Sequence, residues 1–147
     1  MNESARISGR EAMQVFAHTW LKNFVPASSG ASIIALRGDL GAGKTTFVQG
    51  VAAALGVDAI TSPTFVIQKS YAITQTNIQT SFQKLVHIDA YRLESTQELL
   101  QLGFAELANE MSTLIFIEWP ERVPGITPTE TLLFTWISEN ERLVERQ

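Results

Sequence analysis

Ser32-Ile33-Ile34-Ala35-Leu36-Arg37 runs directly into Gly38-Asp39-Leu40-Gly41-Ala42-Gly43-Lys44-Thr45. The first half is a short, unbroken apolar run, which reads as a strand buried on both faces. The second half satisfies G-x-x-x-x-G-K-[ST] in full. Its glycines let the backbone curl so that successive N–H groups converge on phosphate oxygens. Thr46 and Phe47 continue into a helix predicted from about Thr45 to Leu55, closed by Gly56. The N-terminus of that helix adds partial positive charge behind the loop. Strand, glycine loop and helix in this order are the first half of a parallel α/β unit.

Upstream, Met13, Phe16, Ala17, Trp20, Leu21 and Phe24 form one apolar stripe at helical spacing between Arg10 and Phe24. Ser8 and Glu11 have the spacing of a capping box at its start. Downstream, Thr61–Phe65 (TSPTF) reads as a loop, because Pro63 biases Ser62 away from helix. Phe65–Ile73 and Phe82–Asp89 are β-rich runs separated by the polar TQTNIQT, which predicts an antiparallel hairpin with a loose tip. Ser95 and Glu98 suggest a second capping box and a helix to about Leu102, ended or kinked by Gly103. Thr113–Glu118 is another apolar strand, and it ends in an acid. Thr131–Ser138 and Arg142–Glu145 form a last hairpin around SENE.

The chain has 147 residues, enough for one domain with its own core. Lys plus Arg is 11 and Asp plus Glu is 15, a net charge of −4, which argues against an autonomous nucleic-acid binder. Cysteine is absent, which excludes disulfides, thiolate metal sites and a thiol nucleophile. MNESARISGR carries no apolar h-region, and no apolar run approaches the roughly 18 residues of a membrane span. A cytoplasmic protein with no membrane contact is the expectation.

Within a phosphate-binding loop, Lys44 is expected to bridge β- and γ-phosphates and the Thr45 hydroxyl to ligate Mg²⁺. Such a site needs an acid near the metal, usually at a strand end, and Glu118 fits. His87 and Asp89 point to one face of their strand while Val86 and Ile88 point to the other. Asp89 could hold a metal-bound water or orient an attacking one; an ordinary half-exposed sheet fits the alternation equally well. His87 reads as a structural histidine. Arg92 could stabilise a transferring phosphoryl group, or simply pair with a surface glutamate. Trp119 and Trp136 read as packing residues, and Lys69 and Lys84 as isolated charges.

Three enzyme classes use such a loop: an ATPase serving a complex, a small-molecule kinase and a GTP switch. The GTP-binding signature N-K-x-D is absent, since no Asn or Thr precedes any lysine. The stretch available for a kinase lid, Thr74–Thr80, has no arginine. A non-catalytic nucleotide-binding module remains open.

Four motifs in order make the chain resemble the TsaE family, small phosphate-loop ATPases of bacterial tRNA threonylcarbamoyladenosine modification. They are Gly38–Phe47 (GDLGAGKTTF), Ser62–Phe65 (SPTF), His87–Arg92 (HIDAYR) and Glu118–Pro120 (EWP). The resemblance implies one α/β NTPase domain over residues 1–147, with a mixed, mainly parallel central sheet flanked by helices and antiparallel hairpins. It implies binding of ATP and Mg²⁺, weak hydrolysis by the chain alone, and action with TsaD-like and TsaB-like partners rather than as the transferase. Contact with tRNA is expected only through that complex. The nucleotide-binding set carried over is Gly38, Asp39, Leu40, Gly41, Ala42, Gly43, Lys44, Thr45, Thr46 and Thr64. Thr45 and Glu118 are carried over as metal ligands, and Lys44, Asp89 and Glu118 as catalytic groups. Thr64 would act in a nucleotide-sensing loop, and Ser8 and Arg142 near the base.

Overall fold

In chain order the elements are β1 (Ser4–Ser8), α1 (Gly9–Asn23), β2 (Ser32–Arg37), α2 (Lys44–Ala54), β3 (Gln68–Ala72), β4 (Lys84–Asp89), α3 (Thr96–Gln101), α4 (Phe104–Ala108), β5 (Thr113–Glu118), a 3₁₀ turn (Pro120–Arg122), β6 (Glu130–Trp136) and β7 (Glu141–Arg146). The structure is a computed structural model that describes residues 4–58, 60–61, 66–74 and 78–147. The seven strands form one sheet in the order β1-β7-β6-β2-β5-β4-β3. The four middle strands are parallel, through the pairs β6·β2, β2·β5 and β5·β4. The flanking pairs β1·β7, β6·β7 and β3·β4 are antiparallel. The sheet is therefore mixed, with its parallel part confined to the middle.

The apolar runs of β2 and β5 follow from their place. Each is flanked on both sides by other strands, and both of its faces are covered. Ile34, Leu36, Leu114 and Phe116 face α1 and α2, joining Trp20, Phe47 and Val51 in one core. Ile33, Ile115 and Ile117 face the other way, with Val86, Leu99, Phe104 and Leu107, in a second core. Helices α1 and α2 approach closely at Gly50, where an added Cβ would lie 2.8 Å from the Ala17 Cβ. That contact explains a glycine inside a helix, where it costs about 1 kcal/mol relative to alanine. Past the end of α2, Gly56 takes φ +74°. Its N–H bonds the Ala53 carbonyl at 3.1 Å and the Val57 N–H bonds that of Ala52 at 2.8 Å, a Schellman motif.

Several local expectations change. Strand β1 is not predicted from the sequence; it is an edge strand in which only Ile7 is buried, so it carries little alternation. Ser8 does precede α1, but its side chain makes no capping hydrogen bond. The entry is fixed instead by Gly9, at φ +86°, whose N–H donates to the Asn140 carbonyl at 2.7 Å. At α3 the box is displaced by one residue: Glu98 accepts from the Glu94 N–H at 2.8 Å, and Ser95 makes no side-chain cap. Gly103, at φ +88°, does end that helix, and the unpredicted five-residue α4 starts just after it. Lys69 and Lys84 are not isolated: Lys69 donates to Thr61 at 2.5 Å and Lys84 pairs with Glu110 at 3.0 Å. Ser62–Phe65, Thr64 among them, and residues 75–77 of the hairpin tip lie outside the described residues. No described helix is long and apolar enough to cross a membrane.

Candidate nucleotide-binding site

Parallel strands present their C-terminal ends at one edge of a sheet, and crevices form there. Strand β2 ends at Arg37, just before Gly38, β4 at Asp89 and β5 at Glu118, with Asp89 and Leu36 both in register with Glu118. The glycine loop crosses this edge. Gly38, Gly41 and Gly43 take φ of +143°, +77° and +105°, where residues with a Cβ are strained. At Gly38 space is also lacking: a Cβ would lie 2.4 Å from the Phe134 carbonyl oxygen. The loop closes onto α2 through the Ala42 N–H to the Asp39 carbonyl at 3.1 Å and the Phe47 N–H to the Gly43 carbonyl at 2.9 Å.

Lys44, at the heart of this loop, is only 4% exposed. Its ammonium donates to the Gly38 carbonyl and sits 3.9 Å above the Trp119 ring. Burial pushes its pKa below the usual lysine value, opposed by the charges of Glu118, Glu121, Asp89 and Asp39. Thr45 donates its hydroxyl to Glu118 Oε2 at 3.3 Å. His87, fully buried, places Nε2 2.5 Å from the same oxygen. Asp89 is 6% exposed and its Oδ1 accepts from the Tyr91 N–H at 2.9 Å, which fixes the carboxylate at the end of β4.

The cavity over the loop has a volume of about 460 Å³. Loop residues from Leu40 to Thr46 form its floor, Asp89, Glu118 and Trp119 one wall. Gly9, Arg10 and Met13 of α1, with Glu139, Asn140 and Arg142 of the last hairpin, form the other. Gly38 and Asp39 do not line it; Gly38 holds Lys44 through its carbonyl, and Asp39 is exposed. Ser8 is not a wall either, although its neighbours Gly9 and Arg10 are. Arg142 is a wall, and it braces the site: its Nε donates to the Gly41 carbonyl at 3.1 Å and its Nη1 to those of Ser138 and Glu141 at 2.6 and 3.0 Å. Arg92 is exposed and lies outside the cavity.

Two site residues escape the sequence reading. Trp119 reads as packing, but it forms a cavity wall over Lys44 and stands in the left-handed region at φ +59°. Its adjacency to Glu118 is the signal that could have found it. His87 reads as structural, yet it touches the site's acid; its period-two spacing with Asp89 was the available hint. Trp136 is 53% exposed, stacked loosely under the Arg142 guanidinium at 5.9 Å, rather than packed inside.

The described residues offer no cluster of three or more His, Asp or Glu side chains able to hold a metal alone. A hydroxyl and a carboxylate side by side, both hard oxygen donors, suit a cation that takes its remaining ligands from water and phosphate, as Mg²⁺ does.

Fold and loop together define an α/β protein with a G-x-x-x-x-G-K-T turn between a central parallel strand and the helix behind it. Within that class the chain belongs to the TsaE family: the family model described as "Threonylcarbamoyl adenosine biosynthesis protein TsaE" matches residues 7–147. It is 37% identical over 109 residues to the tRNA threonylcarbamoyladenosine biosynthesis protein TsaE of Borreliella burgdorferi, covering 74% of each chain. It is 39% identical over 122 residues to the protein of that name from Nostoc sp., covering 80% of this chain and 70% of the relative. The crystal structure of Bacillus subtilis YdiB superposes with a TM-score of 0.67 at 24% identity, over 97% of this chain and 82% of the other, a likeness of fold.

Proposed function

We infer that this chain binds and hydrolyses Mg-ATP as a subunit of the tRNA threonylcarbamoyladenosine system, working with TsaD-like and TsaB-like proteins. The observation that carries this reading is the meeting of Lys44, Thr45 and Glu118 at the C-terminal edge of the parallel strands. Loop N–H groups and the start of α2 would receive the phosphate chain. Lys44 would leave the Gly38 carbonyl and move onto the β- and γ-phosphate oxygens. Thr45 and Glu118 would hold Mg²⁺, which neutralises charge on those oxygens. Asp89 would orient the attacking water. Among the described residues, the two arginines that line the cavity are already engaged: Arg142 donates to carbonyls, and Arg10 reaches Gln49 at 3.4 Å. Hydrolysis by the chain alone should therefore be slow.

Phosphate release from Mg-ATP, with and without the two partners, tests the reading. The expected result is a slow basal rate raised by the partners, on the order of tenfold or more, as when a partner completes such a site. Release unaffected by partners, with phosphate appearing on an added metabolite by mass spectrometry, would assign the chain to the kinases instead.

Lys44 gives this binding a pH signature. Its pKa is lowered in the free protein; a bound polyphosphate favours the ammonium and raises it again. Between the two values, binding must draw in a proton, so affinity falls as pH rises through the free-protein value. Titration calorimetry at alkaline pH in buffers of unlike ionisation enthalpy should report proton uptake. Uptake should vanish in Lys44→Met; equal uptake in that variant would assign the proton elsewhere.

A further inference from the structure

The site's acid is held from two directions. Thr45 reaches Glu118 Oε2 from helix α2 at 3.3 Å, a long hydrogen bond. His87 reaches the same oxygen from the neighbouring strand at 2.5 Å and is fully buried. The contact is built into the sheet. Strands β4 and β5 run parallel in the register His87↔Phe116 and Asp89↔Glu118, so all four side chains share the face that carries the glycine loop. Glu118 is itself only 4% exposed, and a buried carboxylate needs hydrogen-bond donors.

The second ring nitrogen settles which atom donates. Among the described residues, His87 Nδ1 is buried and meets no hydrogen-bond partner. A hydrogen on Nδ1 would thus be a buried donor without an acceptor, whereas a bare lone pair there leaves the single N–H of the neutral ring on Nε2. That N–H points at Glu118.

We propose that His87 is a positioning residue for the divalent cation: through Nε2–H it fixes the Glu118 carboxylate beside the Thr45 hydroxyl. This rests on the reading of the cavity as a Mg-nucleotide site. Partners that orient a metal's carboxylate typically contribute about 10- to 100-fold to metal affinity. Nucleotide contacts made by the loop N–H groups do not pass through His87.

The test is Mg²⁺ titration of the full chain, followed by binding of a fluorescent non-hydrolysable ATP analogue, in the parent, His87→Asn and His87→Gln. Glutamine carries an N–H at nearly the reach of Nε2; asparagine is too short. His87→Asn should raise the half-saturating Mg²⁺ concentration by about tenfold or more. His87→Gln should stay within about threefold of the parent, and affinity in EDTA should match in all three. Equal shifts in the two variants, or no shift in either, would overturn the proposal. A parent without Mg²⁺-dependent binding would remove the cation site itself, and the proposal with it. Nitrogen-15 spectra of the parent imidazole give a reading that needs no variant. They should place a hydrogen on His87 Nε2; a bare Nε2 would overturn the assignment.

Discussion

Lys44→Ala is expected to abolish catalysis without weakening the fold. Loss of one well-placed charge-stabilising group costs roughly 10²- to 10³-fold in rate. On a slow basal reaction that leaves nothing above background. The stability expectation runs the other way from the usual core truncation. Lys44 sits in an environment that disfavours its charge, since burial outweighs the attraction of Glu118 and the other acids. Wherever the side chain carries its charge, the folded state bears the desolvation cost that lowers its pKa. That cost fades only as pH rises through the lowered folded value. Removing the side chain removes it at once. The variant should melt at or above the parent's temperature at neutral pH while phosphate release is lost with and without partners. Retained, partner-stimulated release would show that the loop lysine is not the phosphate ligand. A large drop in melting temperature would show that its contacts with Gly38 and Trp119 hold the loop together.

What was legible in the sequence was what is buried and periodic. Ser32–Arg37 and Thr113–Glu118 stand as strands with the expected bounds, because a strand covered on both faces leaves an unbroken apolar run. Helix α2 begins one residue earlier than expected, at Lys44, and ends under Gly56 as the glycine suggested. Edges were harder. Strand β1 hides in SARIS because one buried side chain makes no pattern, and its pairing with β7 joins positions more than 130 apart in the chain. The same distance explains the missed cavity wall. Gly9 and Arg10 reach the site only because the hairpin of β6 and β7 folds back beside α1, with Asn140 accepting from Gly9. Capping boxes misled for a different reason: the spacing was present, but Gly9 and Glu94 supplied other ways to satisfy the helix starts. His87 and Trp119 were visible beside the acids, yet only register could tell that their side chains meet Glu118 and Lys44.

Phe47→Ala should be the most damaging single change to the fold. The ring is fully buried two residues beyond Thr45, on the face of α2 that meets the sheet. It lies within 5.9 Å, centroid to centroid, of Phe16, Trp20, Phe116 and Phe134. These come from α1, β5 and β6, so one side chain ties the phosphate-loop helix to three other elements. Two of the pairs, with Trp20 and Phe116, meet edge to face, a geometry worth about 0.5–1.5 kcal/mol beyond area burial. Truncation loses that, loses the transfer free energy of the ring, and leaves a void walled by stiff aromatics that cannot collapse into it. A Phe→Ala change of this kind costs about 3–5 kcal/mol. Set against the roughly 5–15 kcal/mol of a whole domain, this brings the protein near the edge of folding. Urea denaturation at 25 °C should show the midpoint falling with an unchanged slope. The function should suffer less than proportionately. While folded, the variant keeps Gly38, Gly41 and Gly43 with their backbone geometry and keeps Lys44 and Thr45 on α2, so its Mg-nucleotide affinity should fall only modestly. A loss below about 1 kcal/mol would mean that Phe16 and Phe134 close over the gap, and that the aromatic cluster is more yielding than interiors of normal packing density are.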